Sequence, residues 1–168
     1  MISEPDILVK QNPELLFQKT IISFLQEELS HRNITFLIIE YFGLDLAVFF
    51  PQQSGLRTKF IELKAYCGSR RGGVGVGNKQ GGTQIEILDN SSEELKTFNG
   101  SIIWALVDGT LEKGIERYCL LESQIIKNNM MGGVRKGKQN NLRIAALNNI
   151  YVNWETFCKQ LVDFLIEI

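Results

Sequence analysis

Apolar and polar positions divide the chain into a helical stretch followed by a run of strands. Asn12, Pro13 and Glu14 read as an N-cap, a proline suited to the first helical position and an acid favoured by the helix dipole. Leu15, Phe17, Ile21, Ile22, Leu25 and Leu29 follow at broadly helical spacing, which predicts a helix over 13–30 with its apolar face on a sheet. The period then changes. Ile34 to Phe42 is dense in β-branched and aromatic residues, Gly43 interrupts it, and Asp45 to Phe50 forms a second apolar run. Pro51 to Thr58 reads as a polar turn containing Gly55, and it leads into a third strand, Lys59 to Tyr66. Three consecutive strands with tight connections predict antiparallel pairing.

Further along, Ser101 to Asp108 is apolar throughout, as a strand covered on both faces would be. Ile115 to Glu122 reads as another strand, and a helix follows near Ser123 to Met131. Asn153 caps a last helix with Trp154, Phe157, Leu161, Leu165 and Ile168 on one face, a structural element or a dimer contact. Between these, Thr83 to Leu88 reads as a short strand or helix start, and Ser91 or Ser92 caps a helix over Glu93 to Phe98 that Gly100 ends. The alternation of elements predicts an α/β fold, a sheet with helices as its second layer.

Composition narrows the class. With 168 residues, 44% of them hydrophobic and 22% charged, the chain suits a single domain spanning 1–168. No apolar run approaches the roughly 20 residues that span a bilayer. Met1 is followed by Ser3, Glu4 and Asp6 instead of a basic, apolar leader. The expectation is a cytoplasmic protein with no membrane partner. Cys67, Cys119 and Cys158 are odd in number and widely spaced, which argues against a zinc site or a disulfide framework. His31 is the sole histidine, so chemistries built on several imidazoles or on a Ser-His-Asp triad have little material.

The net charge of −1 conceals a strong polarity. Residues 57–83 carry Arg57, Lys59, Lys64, Arg70, Arg71 and Lys79 against Glu62 alone, a local +5, and 127–143 adds another +5 with no acid. The remaining chain therefore holds −11. Such a distribution suits a polyanion bound on one side. Two glycine-bearing stretches lie inside the basic segments. Residues 67–83 are too glycine-rich for a strand or helix and lack the Gly-Lys-Ser/Thr ending of a phosphate-binding loop. Their backbone amides could approach phosphates closely, with Arg70, Arg71 and Lys79 adding charge, or they could form a plain surface loop. In the second stretch, 131–141, Arg135, Lys136, Lys138, Gln139 and Asn140 are residue types that read base edges, though a phosphate clamp would use the same set.

The most telling stretch is 43–66. Asp45 opens one apolar strand, while Glu62 and Lys64 sit inside the next. Residues two apart share a strand face, so Glu62 and Lys64 point one way while Ile61, Leu63 and Ala65 face a core, which places a carboxylate beside an ammonium on a buried-edge strand. Charges so placed cost stability unless paired or bound to an ion, and two carboxylates from neighbouring strands suit a divalent metal.

The order Asp45, sixteen residues, Glu62-Leu63-Lys64 resembles the PD-(D/E)xK nuclease superfamily, with Leu44 where that family has proline. The resemblance covers 14–84. It implies a restriction-endonuclease-like mixed β-sheet flanked by helices, and Mg²⁺-dependent hydrolysis of DNA phosphodiesters with Mn²⁺ as a substitute ion. It further implies that Asp45, Glu62 and the Leu63 carbonyl hold the metal, that Lys64 positions the attacking water or takes its proton, and that Glu14 and Gln84 line the site. The loops favour a type II restriction-like enzyme acting on double-stranded DNA as a homodimer. The alternatives are a structure-specific resolvase or repair nuclease, a nucleic-acid-binding module without catalysis, and a glycosidase using Asp45 and Glu62, in which Lys64 would have no task.

Overall fold

The computed structural model describes residues 13–41, 44–53, 55–67, 74–75, 100–110, 115–130, 141–142 and 147–167. Helix α1, Pro13–His31, begins at the proline and carries Phe17, Ile21, Leu25 and Leu29 every fourth residue, all fully buried. Asn12 lies outside the described residues. Three strands follow, β1 (Leu37–Tyr41), β2 (Leu44–Gln52) and β3 (Gly55–Cys67), paired antiparallel as expected. The β2–β3 connection is tighter than the sequence pattern suggested. Gln52 pairs with Gly55, so the polar residues assigned to a turn continue the ladder. Gly55 has φ +138°, a conformation L side chains rarely adopt, and this lets the chain reverse in so few residues.

After two-residue β4 (Val74–Gly75) come β5 (Ser101–Thr110) and β6 (Ile115–Leu121). β5 runs parallel to β3, and β6 pairs antiparallel with β5, giving one mixed five-stranded sheet in the order β1-β2-β3-β5-β6. The strand carrying Glu62 and Lys64 is therefore the central strand, where the sequence suggested an edge. Helix α2 (Ser123–Asn128), strand β7 (Asn141–Leu142) and helix α3 (Trp154–Ile166) follow among the described residues. Asn153 caps α3 by accepting the Thr156 N–H at 2.9 Å. The segment 83–99, with its expected helix, lies outside the described residues. Gly100, expected as a helix end, instead abuts the ring of Phe60, which occupies the space a β-carbon would need.

Strand alternation gives the sheet two buried faces. On one, α1 and α3 pack over Leu46, Val48, Ile61, Leu63, Ile103, Ala105 and Val107, with Phe17, Tyr118 and Phe157 joined ring to ring at 5.4 to 6.2 Å. On the other, Phe60, Trp104, Leu106, Cys119 and Leu121 are covered by Ile126, Met130, Leu142 and Leu147. No helix among the described residues is long and apolar enough to cross a membrane.

Two basic residues counted with the candidate site by their sequence position belong elsewhere. Arg57 donates to the Glu167 carbonyl at 2.6 Å and so caps the end of α3, while Lys59 lies over the Phe164 ring at 4.6 Å. Seven residues of strand separate Arg57 from Lys64, roughly 23 Å.

Candidate active site

The β2–β3 ladder ends at the pair Leu46 and Ile61, and the chemistry begins where it stops. Beyond that pair, Asp45 Oδ2 accepts the Leu63 N–H at 2.6 Å. The Asp45 carbonyl turns towards α1 and accepts from Gln18 Nε2 at 3.4 Å. A side-chain carboxylate thus satisfies a donor of the central strand, and in doing so holds itself beside the backbone between Glu62 and Lys64.

Glu62 lies on the face shared with Phe60, and its register partner on β5 is Trp104. It is only 2% exposed. Lys64 Nζ sits 2.7 Å from Glu62 Oε1 and donates to the Leu63 carbonyl at 2.9 Å. A cation thus already lies between two of the oxygens expected to bind metal. Glu14, reaching across from the first turn of α1, stands 4.0 Å from the same ammonium. Three carboxylates surround one amine.

Burial pushes the Glu62 carboxyl up to about 7; Lys64 opposes the rise, while Asp45 and Glu14 add to it. Burial alone would lower Lys64, but Glu62, Glu14 and Asp45 together outweigh it and hold the amine above its ordinary value. The two shifts have one origin, an excess of negative charge in a site poor in water. Lys64 is therefore a cation at neutral pH, suited to donating hydrogen bonds or holding an anion and unsuited to taking a proton. Among the described residues no three Asp, Glu, His or Cys side chains are close enough to enclose a metal by themselves. Any ion here would draw on two carboxylates and a backbone carbonyl, the hard oxygen set that Mg²⁺ accepts with water completing its shell.

The structure thus brings together Asp45, Glu62, Leu63, Lys64 and Glu14. Gln84, Arg70, Arg71, Lys79, Arg135, Lys136, Lys138, Gln139 and Asn140 lie outside the described residues. The two glycine-bearing stretches containing most of them are nevertheless tied together. Val74 pairs with Leu142 and Gly75 with Asn141, although the sequence reading denied 67–83 any strand. A two-residue ladder needs little intrinsic propensity when Leu142 is fully buried in the apolar cluster that also holds Trp104 and Phe60.

A second polar group escaped the sequence reading. Asp108 and Arg117 face each other across β5 and β6, with Arg117 Nη2 at 2.6 Å from Asp108 Oδ2. Asp108 is 1% exposed, and the Arg117 guanidinium lies 4.5 Å above the Tyr151 ring. The signal was available, since a charge at each of two facing positions in apolar strands is the feature that singled out Glu62 and Lys64. In the sequence pattern Asp108 reads only as the end of its strand.

No protein-family model matches this chain, and no curated protein matches it by sequence.

Proposed function

We propose that the chain is a metal-dependent deoxyribonuclease with a restriction-endonuclease-like sheet, and that Asp45, Glu62, Leu63 and Lys64 form its active site. The observation that carries this reading is the Lys64 ammonium, 2.7 Å from a buried glutamate, with the Asp45 carboxylate fastened at 2.6 Å to the Leu63 N–H between them. The Asp45, Glu62-Leu63-Lys64 order that resembles PD-(D/E)xK nucleases supports it, as does the mixed sheet flanked by helices.

The Asp45 and Glu62 carboxylates and the Leu63 carbonyl would hold Mg²⁺ or Mn²⁺. When bound, the ion supplies charge neutralisation at the phosphate and a lowered pKa for a coordinated water. Glu62 must give up its proton for the site to take a cation, so affinity rises with pH up to about 7. Lys64 must leave its present bridge between Glu62 and the Leu63 carbonyl, which rotation of its side chain achieves without moving β3. Released, its ammonium can orient the attacking water or steady the charge growing on the phosphate. Glu14, nearly half exposed at 45%, is placed to hold Lys64 from the open side.

Supercoiled plasmid and a four-way junction, each incubated with Mg²⁺ at fixed salt, separate the restriction-like reading from the resolvase-like one. We expect cutting that stops when the metal is chelated. Lys64→Ala or Asp45→Ala should lower the rate at least about a hundredfold while the fold persists. Full activity in either variant would overturn the assignment.

A further inference from the structure

We propose that Arg117 is a phosphate-binding residue for the nucleic-acid backbone, held ready by Asp108 and Tyr151 at a position separate from the scissile bond. The inference rests on the reading that a phosphodiester backbone crosses this face of the sheet.

Four observations lead to it. Asp108, Arg117 and Cys119 share the face of Glu62 and Lys64, because Leu106 is the register partner of Lys64 on β5 and of Cys119 on β6. Two strand spacings and two residues of rise place the Arg117 backbone about 12 Å from that of Lys64, too far for the reacting phosphate yet within one stretch of backbone. The guanidinium is fixed on two sides, by a carboxylate oxygen at 2.6 Å and by the Tyr151 ring at 4.5 Å. More than a third of the side chain, 37%, stays open, and the hydrogen bond shown for the guanidinium among the described residues is the one from Nη2.

A purely structural ion pair would spend both ends of the arginine fork on the carboxylate. Here one end is used. Asp108 is shared between the guanidinium and the Tyr151 hydroxyl, which has Asp108 as its side-chain hydrogen-bond partner although neither that hydroxyl nor Asp108 Oδ1 makes a close hydrogen bond among the described residues. Burial, with Asp108 adding to it, keeps the Tyr151 phenol neutral well past physiological pH, and burial likewise pushes the Cys119 thiol up to about 12. Neither neighbour supplies a competing charge. A guanidinium with its orientation fixed and one donor edge facing solvent is pre-organised for a phosphate oxygen, and the ordering entropy has already been lost on folding.

Binding of a short DNA duplex in chelator, across a salt series, reads the contact directly. The double substitution Asp108→Asn with Arg117→Gln preserves net charge and side-chain hydrogen bonding, so long-range attraction is unchanged. We expect the slope of log K against log salt to shrink by about 0.9, with affinity about fivefold weaker at 0.15 M salt. Arg117→Lys should restore the slope. If the double variant does not fold, Arg117→Gln alone, one unit lower in net charge, is read over the same salt series, where a slope smaller by about 0.9 supports the inference and an unchanged slope overturns it. An unchanged slope and affinity in a wild-type background that cuts DNA would overturn this inference and leave the nuclease reading standing. A reduced slope in a chain that never cuts would do the reverse, and a wild-type chain that binds no duplex would end the inference outright.

Discussion

Two buried charge pairs lie on the same face of one sheet, and they are built on opposite principles. Around Lys64 there are three carboxylates for one amine, and the most buried of them, Glu62, has its pKa raised to about 7. Around Arg117, among the described residues, there is one carboxylate for one guanidinium, with an aromatic ring beside them. The first group carries a negative surplus that only a further cation or a proton relieves. The second is balanced and has a donor edge to spare. On the proposed reading the first would attract a metal and the second an anion, the two needs of a phosphodiester with its counter-ion.

The largest effect that would test this contrast is on stability. Arg117→Ala strands a carboxylate that is 1% exposed, with no other described cation within pairing distance. Breaking a buried pair by removing one partner costs about 3 to 5 kcal/mol, and partial exposure of the arginine puts the expected loss near the lower end, about 3 kcal/mol. Urea unfolding at pH 7.5 measures it. A loss under about 1 kcal/mol would mean that Asp108 is already relieved by something other than Arg117, and the contrast would fail.

The next effect is a pH slope that belongs to the first pair. Glu62 has a folded pKa of about 7 against an ordinary value of 4.5, so between those limits the native chain holds a proton that the unfolded chain has released. Its contribution is complete below about pH 4.5, declines as pH rises, and is gone above about 7. The total is on the order of 3 kcal/mol by the usual conversion of pKa into free energy, and Lys64 moderates it. Lys64, also raised, stabilises below its ordinary 10.5 and loses that effect above it; Glu62 is the first cause of that rise, so the effect is large where Glu62 is charged and small where it is protonated. Thermal melts of wild type and Glu62→Gln from pH 4.5 to 8 should show the wild-type slope flattened in the variant. Parallel curves would place the titration elsewhere.

How far the sequence reveals all this differs between the two pairs, for a physical reason. Asp45, Glu62 and Lys64 lie close in sequence and in consecutive antiparallel strands, so local pairing alone brings them together. Helix α1, capped α3 and most strand boundaries are legible in the same way, from period and from Pro13 and Asn153. Asp108 and Arg117 needed the hairpin register, which a gap of several residues leaves open, and Tyr151 arrives from beyond β7. The central position of β3 was hidden because its other neighbour, β5, begins more than thirty residues later. Arg57 and Lys59 show the converse: they are close to Lys64 along the chain, yet the strand carries them to the α3 end.

The smallest expected effect is the most discriminating, because the two pairs look alike on a list of ion pairs. Lys64→Ala also removes the cation from a buried carboxylate, and by the rule applied to Arg117 it too would cost several kcal/mol. Glu62, however, already has its pKa near 7, so at pH 6 it is largely protonated and the loss of its partner leaves a neutral acid behind. Asp45 keeps its hold on the Leu63 N–H whether Lys64 is present or not. We therefore expect Lys64→Ala to change stability by less than about 1 kcal/mol at pH 6, and by more as pH rises past 7, because without the ammonium the Glu62 carboxyl titrates higher still and keeps a proton that the unfolded chain has released. Urea unfolding of the variant at both pH values checks this, and an equal, large loss at pH 6 would show that Glu62 is ionised there and that Lys64 is chiefly a structural partner.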